Sequence, residues 1–306
     1  MKPCAALRNT PTRRSSDTYE RKTPPTDPRL KHNMLNVLFC GNDGVFDGFL
    51  TCALSMMMRT RSKEPFSFHI FTMSLTRIDE RYTPIPDDHV TLFERAVKEY
   101  HPENTVKVTD VTALYEKELG KCPNEGAYCS PYTLIRLLAD LVPDMPDKLL
   151  YLDADIMFNR DPHLLYDTDI SEVEYAAARD HYGKYLLYPN YVNAGVVLFN
   201  MKKCRETGLF AKARAELRRK KFLFADQTAL IHATTKKKMM PQRFNDQKFL
   251  HDHTVVRHFS KRLFWLPYPH TENIKQWQVD KVHEIFRYHQ FDDILKKYQQ
   301  LMKQTR

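Results

Sequence analysis

The segment Lys148–Asp155 reads KLLYLDAD, an apolar run that ends in two carboxylates separated by one residue. An unbroken run of this kind is typical of a buried parallel strand. Side chains at positions i and i+2 of an extended segment point the same way, so Asp153 and Asp155 can converge just past the strand. Open α/β sheets bind ligands at this carboxyl edge. The two carboxylates repel each other unless a cation lies between them, and the segment therefore indicates a metal site.

This triplet alone is weak evidence, because about one Asp-x-Asp is expected by chance in a chain of this length. A second triplet, Asp167–Asp169, follows another short apolar run. Asp153 and Asp155 alone could belong to a solvated loop or to the start of a helix. The choice between these alternatives depends on residues elsewhere in the chain.

The composition indicates a globular chain with reduced cysteines. The 306 residues are 42% hydrophobic, enough for one large α/β domain or two smaller ones. No run approaches the roughly 18 to 20 apolar residues of a membrane span, and the N-terminus lacks the apolar core of a signal peptide. We therefore expect a cytoplasmic protein. Its six cysteines form no Cys-x-x-Cys pair, so a structural zinc site is not expected.

The net charge of +9 is concentrated at the N-terminus, where residues 1–33 carry eight basic and three acidic side chains. This leader also contains five prolines and almost no large apolar residues. It cannot bury enough surface to fold, so we expect it to be disordered. Because Met34 opens the first strand, the leader could also be an extension upstream of the true start. The remaining charge is mild and does not indicate a nucleic-acid partner.

The order of apolar and helical patterns predicts an α/β fold. Leu35–Cys40 reads as a buried strand, and Gly41–Gly44 forms a turn into a helix at about 46–59. This turn lacks a full Gly-x-Gly-x-x-Gly, so a dinucleotide site is not supported. Further strands are predicted at 66–71, 106–108, 174–178, 193–200 and 254–259, and helices at about 87–100, 130–141, 163–166, 201–221 and 226–234. This order favours a doubly wound, mostly parallel sheet. We expect a catalytic domain over residues 34–270 and a helical appendage over residues 271–306.

A third candidate metal ligand is His258, near the end of the late strand. Parallel strands place their carboxyl ends on one edge of the sheet, so we expect His258 to lie beside Asp153 and Asp155. Taken singly it could be an ordinary core or surface histidine. Together with Asp153 and Asp155 it offers two oxygen ligands and one imidazole, which suit a divalent ion of intermediate hardness such as Mn²⁺. A diphosphate is the obvious ligand of such an ion, and Lys261 or Arg262 could hold the same phosphates.

Arg136 lies among leucines in the predicted helix that Ser130 and Pro131 open. Two roles are open from the pattern. It could be a surface cation on an amphipathic helix, or its guanidinium could reach a phosphate or sugar near the strand that follows.

These motifs, in this order, resemble glycosyltransferase family 8, retaining enzymes with a GT-A fold that include bacterial lipopolysaccharide galactosyl- and glucosyltransferases and glycogenin. The resemblance covers roughly residues 34–270. Lys148–Asp155 is similar to the family's Asp-x-Asp strand, and Asn190–Asn200 to its Asn-Ala-Gly strand. Phe224–Gln227 resembles its Asp-Gln helix start, and His258–Lys261 its late metal-ligand segment. Arg136 matches a donor-contacting arginine.

The resemblance implies a GT-A fold, a Rossmann-like, mostly parallel sheet with helices on both faces. It implies that Asp153, Asp155 and His258 bind Mn²⁺ (or Mg²⁺), which bridges the diphosphate of a UDP-sugar. The implied donor site contains Cys40, Gly41, Asn42, Asp43, Arg136, Asp153, Ala154, Asp155, Asn193, Ala194 and Lys261. The acceptor would be a glycan or lipid-linked glycan, in cell-surface polysaccharide biosynthesis, and the sugar glucose or galactose.

The implied catalytic residues are Gln227, Asp226 and Asp180. Gln227 would lie near the anomeric carbon, on the face away from the diphosphate. A same-face substitution, in which the departing phosphate takes the acceptor's proton, is favoured. The alternative is a double displacement with Gln227 or Asp226 as nucleophile, and an amide is a poor nucleophile.

The chain departs from the family pattern at two places. Asn42 stands where members often carry aspartate against the uracil N3–H, although its carbonyl can still accept that proton. The late motif usually runs His-x-Gly-x-x-Lys-Pro-Trp, whereas His258–Trp265 reads HFSKRLFW. The phosphate cation could therefore be Lys261 or Arg262.

Two other functions are open: a catalytically idle nucleotide-sugar-binding protein, and a metal-dependent nucleotide-diphosphate hydrolase. The hydrolase would need a second carboxylate cluster to activate water.

The tail, Leu295–Arg306, mixes cations with aromatic and apolar residues. It could contact the inner face of an anionic membrane, where lipid-linked acceptors reside, or be a solvated surface helix.

Overall fold

The computed structural model describes residues 34–126, 130–264 and 268–304. The basic leader lies outside the described residues, so its disorder stays a prediction. Seven strands form the central sheet: β1 (Leu35–Cys40), β2 (Phe66–Thr72), β3 (Thr105–Asp110), β4 (Lys148–Leu152), β6 (Tyr175–Arg179), β7 (Val192–Asn200) and β8 (Lys237–Met240). Two small sheets pair β5 (Ile156–Phe158) with β9 (Val256–His258), and β10 (Arg262–Phe264) with β11 (His270–Glu272).

The order of strands in the central sheet is β3-β2-β1-β4-β7-β6-β8. β7 is antiparallel to both of its neighbours, β4 and β6, while the other pairings are parallel. The prediction of a mostly parallel, doubly wound sheet is thus confirmed. Because β7 is reversed, its first residues lie at the same edge as the last residues of β4 and β6.

The helices cover both faces of this sheet: α1 (Phe46–Arg59), α2 (Asp87–Lys98), α3 (Thr112–Glu118), α4 (His163–Tyr166), α5 (Gly183–Leu186), α6 (Met201–Thr207), α7 (Leu209–Arg219), α8 (Ala225–Ala233), α9 (Val279–Lys281) and α10 (Asp292–Lys303). In β1, Val37 and Phe39 face the core beneath α1 and α2, whereas Leu38 and Cys40 face the core beneath α6–α8. A strand buried on both faces has to be apolar at every position, which explains the unbroken runs in the sequence.

Three predicted elements differ from the structure. Residues 130–141 form two short 3₁₀ helices, Pro131–Thr133 and Ile135–Leu138, in place of one α-helix. The Leu137 N–H bonds the Leu134 carbonyl at 3.0 Å, three residues back, while the Thr133 carbonyl accepts from Arg136 Nε at 2.9 Å. The helix predicted at 201–221 is broken at Gly208, whose φ of +69° favours glycine. The late strand is shorter than predicted and belongs to the small β5–β9 sheet.

The tail is helical in two pieces, with a short π-helix at Val282–Phe286 and a left-handed residue, Arg287, before α10. The apolar side chains of α10 are buried against the core beneath α1: Ile294, Leu295, Tyr298 and Leu301. Arg59 of α1 pairs with Asp293 at 2.7 Å. Within the described residues, no helix combines the length and apolar character needed to cross a bilayer.

Candidate active site

The two carboxylates of Lys148–Asp155, Asp153 and Asp155, lie in the tight turn from β4 to β5. Asp153 N–H donates to the Gly195 carbonyl at 2.8 Å, which continues the pairing of β4 with β7. The Tyr151 hydroxyl donates to Asp153 Oδ1 at 2.6 Å. Burial raises the pKa of Tyr151 well above its usual value, so this hydroxyl keeps its proton.

His258 reaches these carboxylates through the small sheet. It is the register partner of Ile156, and the following residue, Phe259, donates its N–H to the Asp155 carbonyl at 2.7 Å. The sequence argument placed His258 at the same edge of one parallel sheet, and this reason is wrong: β9 pairs with β5 outside the central sheet. The expected proximity nevertheless holds, because β5 begins directly after Asp155.

The three side chains form a compact set of metal donors. Ligand atoms of Asp153, Asp155 and His258 all lie within 4.8 Å of one another. His258 Nε2 is 3.0 Å from Asp155 Oδ1 and 4.0 Å from Asp153 Oδ2. Two carboxylates and one imidazole fit Mn²⁺ or Mg²⁺ as an oxygen-rich site with positions left for substrate.

Asn245, a residue that the sequence analysis did not identify, determines the orientation of His258. Its side chain is fully buried, and its Oδ1 lies 3.0 Å from His258 Nδ1. Since an amide oxygen only accepts, Nδ1 carries a proton, and Nε2 is the nitrogen that can give up its proton to bind a metal. The Asn245 amide donates in turn to Asn193 Oδ1 at 2.8 Å. This contact links the histidine to the Asn-Ala-Gly strand.

Asn245→Ala is expected to lower Mn²⁺ affinity by roughly 10- to 100-fold. The hydrogen bond from His258 Nδ1 to Asn245 fixes the tautomer and ring orientation of the metal-binding histidine. Calorimetric Mn²⁺ titration would measure the change. Asn159→Ala is the matched control, since Asn159 bonds the Thr254 carbonyl at the other end of the same small sheet. An equal loss of affinity in both variants would refute the role of Asn245.

Arg136 is the buried cation of the site, with 2% of its surface exposed. Its guanidinium lies 3.1 Å from Asp153 Oδ1 and 3.2 Å from Asp226 Oδ2. It also donates to the Ala194 carbonyl and stacks on the Tyr151 ring at 3.8 Å. The alternative of a surface cation is therefore excluded. Contact with a donor sugar stays a prediction.

Asp226 and Gln227 open α8 beside this arginine. Burial raises the pKa of the Asp226 carboxyl, while the Arg136 charge opposes that rise. Gln227 Oε1 accepts the Ala194 N–H at 2.9 Å, which holds Gln227 against β7. Asp226 is held by its ion pair with Arg136.

Asp180 follows β6 at the same edge of the sheet. Its Oδ2 accepts from the Asn193 amide at 2.8 Å, and its Oδ1 accepts from the backbone of Tyr182 and Gly183. Asn193 Oδ1 accepts the Gly195 N–H at 3.0 Å. Asp180 thus joins a chain of hydrogen bonds that runs through Asn193 and Asn245 to His258.

The Cys40–Asp43 turn lies at the carboxyl end of β1, beside β4. Burial raises the pKa of the Cys40 thiol, which keeps it neutral next to the charged cluster. The Asn42 amide donates to the Arg81 carbonyl at 3.1 Å, an arrangement that leaves its Oδ1 as an acceptor. Asp43 pairs with His89 at 2.7 Å.

A lysine that the sequence analysis missed contacts the metal donors. Lys275 Nζ lies 2.5 Å from Asp155 Oδ2. Although burial alone would raise the pKa of the Asp155 carboxyl, the charges of Lys275 and His258 hold it well below its usual range. Lys261 is exposed, and the Arg262 guanidinium stacks on Phe249 at 5.2 Å.

The residues after Lys275 hold the same turn. Gln276 Nε2 donates to the Ala154 carbonyl at 2.8 Å. A Cβ on Gly48 of α1 would lie 2.1 Å from that carbonyl and 2.9 Å from the Trp277 ring, so the contact requires glycine. Lys275–Trp277 reads KQW and resembles the Lys-Pro-Trp of the family motif, displaced along the chain by the β10–β11 hairpin. This triplet was the signal in the sequence that could have identified Lys275.

A second group of metal-type donors among the described residues lies in the tail. His283 Nε2 and His289 Nδ1 contact the two oxygens of Asp292 at 2.7 and 3.2 Å. These side chains are half-buried or exposed and lie at or before the start of α10. They provide a control for adventitious metal binding.

The sheet, the reversed β7 and the acid–histidine cluster at its edge define a GT-A glycosyltransferase. A model of the family described as glycosyl transferase family 8 matches residues 36–258. The chain therefore belongs to glycosyltransferase family 8. A search of curated protein sequences gives no match.

Solved structures share the fold at low sequence identity. An active-site mutant of LgtC is 18% identical, with a TM-score of 0.61 over 88% of this chain and 96% of LgtC. The bifunctional glycosyltransferase WbbM is 17% identical, with a TM-score of 0.65 over 92% of this chain and 52% of WbbM. The chain thus spans about half of WbbM. GlyE of Streptococcus pneumoniae TIGR4 is 18% identical, with a TM-score of 0.54 over 89% of this chain and 64% of GlyE.

Proposed function

We propose that the chain is a retaining, Mn²⁺-dependent hexosyltransferase that moves glucose or galactose from a UDP-sugar to a glycan or lipid-linked glycan. The observation that carries the proposal is the position of Asp153, Asp155 and His258 within 4.8 Å of one another. The ion pair of Arg136 with Asp226, at 3.2 Å, lies directly beside this cluster. A metal-binding group next to a buried ion pair suits a substrate that carries both a diphosphate and a sugar.

A solved structure with the same fold supports a reaction between a sugar donor and a sugar acceptor. LgtC, which shares the fold, is described as a galactosyltransferase in complex with donor and acceptor sugar analogs. In the present chain the donor base would lie against the Cys40–Asp43 turn, with Asn42 Oδ1 accepting the uracil N3–H. Arg136 and Asn193 would hold the sugar, and residues 34–270 would form the catalytic domain.

When bound by Asp153, Asp155 and His258, the divalent ion would neutralise charge on the diphosphate as it leaves. Lys275 would add a second positive charge beside the diphosphate, because its ammonium already contacts the metal donor Asp155. As the bond between the anomeric carbon and the phosphate oxygen breaks, that phosphate oxygen would take the proton of the acceptor hydroxyl. The acceptor oxygen would then bond to the anomeric carbon on the same face.

The positions of Asp226 and Gln227 support this same-face route over a double displacement. The Asp226 carboxylate, 5% exposed, is engaged by Arg136 at 3.2 Å. Gln227 Oε1 accepts a backbone N–H. Neither group is a free carboxylate, which a covalent intermediate would require. Both would instead position the donor sugar.

A donor panel tests the proposed function. We expect Mn²⁺-dependent release of UDP from UDP-glucose or UDP-galactose in the presence of an acceptor, with the anomeric configuration retained in the product. A hydrolase of the diphosphate would release UMP and sugar 1-phosphate. An idle binding protein would bind UDP and give no transfer to any acceptor. Either of these results would replace the proposal.

Lys275→Met is expected to lower UDP affinity by roughly 10- to 100-fold, because a charge-assisted contact to the diphosphate is lost. Lys275→Arg should retain part of that affinity. UDP titration would also compare Lys261→Met and Arg262→Met, the cations predicted from the sequence. If Lys261→Met caused the larger loss, the assignment of Lys275 would be wrong.

A further inference from the structure

Exposed apolar side chains form a continuous surface around α5 and the segment before α8. Leu186, Leu187, Tyr188 and Leu223 are 76%, 50%, 37% and 66% exposed, and all four line one open cavity of about 430 Å³. Single exposed leucines are common on proteins, whereas a contiguous group of this kind marks a contact site. We name this group the Leu186–Leu223 surface.

Basic side chains surround these apolar ones. Residues 218–223 read RRKKFL, and Lys221 lines the cavity itself. Lys184 lies over the Tyr185 ring at 4.9 Å, and Lys237 over the Tyr188 ring at 5.8 Å. Seven basic residues occur from 218 to 238, and the single acid in that range, Asp226, is buried in the active site. Arg218 and Arg219 pair with Glu118 and Glu216 at 3.3 and 3.2 Å, so the excess positive charge of the rim comes from its lysines.

We propose that the Leu186–Leu223 surface docks on an anionic phospholipid membrane. Leucine and tyrosine side chains enter the boundary between headgroups and acyl chains, and lysines beside them contact anionic headgroups. The tail is a weaker candidate, because the apolar residues of α10 are turned into the core and leave it only its charges. A protein partner fits less well, because interface cores are depleted of lysine.

The surface adjoins the catalytic end of the molecule. Tyr191 lines the cavity, and its hydroxyl lies 2.7 Å from Thr228 Oγ1, next to Gln227. Asp180 accepts from the backbone at the start of α5. Docking would thus hold the active site close to the bilayer. The docking itself does not depend on the proposed sugar transfer.

Vesicle co-sedimentation tests the proposal on the full chain without any sugar substrate. We expect the wild type to sediment with vesicles of phosphatidylcholine mixed with phosphatidylglycerol, and far less with phosphatidylcholine alone. Lys220→Gln/Lys221→Gln should lower the partition coefficient by roughly fivefold per charge. Leu186→Gln/Leu223→Gln should lower it by about tenfold. Circular dichroism would confirm that each variant is folded.

Matched controls change the same residue types elsewhere. Lys296→Gln/Lys303→Gln removes two exposed charges from α10, and Leu141→Gln/Leu164→Gln removes two exposed leucines. Both should leave the partition within about twofold of wild type. Equal sedimentation with the two kinds of vesicle, or an α10 variant that loses as much binding as Lys220→Gln/Lys221→Gln, would overturn the proposal.

Discussion

Asp155→Asn is expected to lower the rate of sugar transfer by roughly 10²- to 10³-fold, because a metal that neutralises a leaving diphosphate is worth several kcal/mol. The substitution keeps the shape of the side chain and removes its charge. The amide oxygen can still accept from Lys275, which lies 2.5 Å from Asp155 Oδ2. The loss should therefore be one of metal affinity rather than of folding, and steady-state rates at several Mn²⁺ concentrations would separate the two.

The second Asp-x-Asp triplet of the chain provides the matched control. Asp167 follows the last turn of α4, with 68% of its side chain exposed, and Asp169 accepts the Ser171 N–H. Asp167→Asn/Asp169→Asn changes the same residue types at the same spacing. It should leave the transfer rate within about twofold, since surface substitutions of this kind have small effects. A comparable loss in this variant would contradict the role of Asp155.

Arg136→Met should be the most destabilising single substitution in the site, at about 3–5 kcal/mol. The buried guanidinium contacts Asp153, Asp226 and two backbone carbonyls. Methionine fills part of the volume and leaves the Asp226 carboxylate buried without a countercharge. Denaturant unfolding of wild type and variant would measure the difference. Arg136→Lys should lie between them, because it keeps the charge and loses the planar contacts.

The effect of Arg136→Met should also depend on pH. Burial already raises the pKa of Asp226, and removal of the arginine raises it further. The folded variant then holds a proton that the unfolded chain releases above about pH 4. Its stability relative to wild type should be least impaired near that pH and should fall as the pH rises through the folded-state pKa. Asp226→Asn in the same chain should restore part of the loss; an additive double mutant would contradict the pairing.

The convergence of Asp153 and Asp155 could be predicted because its signal is local. Lys148–Asp155 encodes a buried strand and two converging side chains, and a two-residue periodicity suffices to place them. His258 needed the order of several motifs, and its actual placement depends on a three-residue pairing of β5 with β9. Strands this short have no clear sequence signal, so the small sheet was not foreseen.

The contacts that Asn245 and Lys275 make with the metal donors could not be predicted, for a different reason. Asn245 contacts His258 and Asn193 through side chains that lie 13 and 52 residues away in sequence. Nothing in the local composition around Asn245 marks it. Lys275 was hidden because the β10–β11 hairpin separates it from His258 and removes the family spacing.

The central claim is that Asp153, Asp155 and His258 form the metal centre that holds a diphosphate. Calorimetric titration of UDP, with and without Mn²⁺, tests it most directly in wild type and Asp153→Asn. His289→Ala, in the tail cluster, controls for adventitious metal binding. The account predicts that Mn²⁺ strengthens UDP binding by at least roughly tenfold in wild type and His289→Ala, and hardly at all in Asp153→Asn. UDP binding that ignores Mn²⁺, or a Mn²⁺ effect that survives in Asp153→Asn, would contradict it.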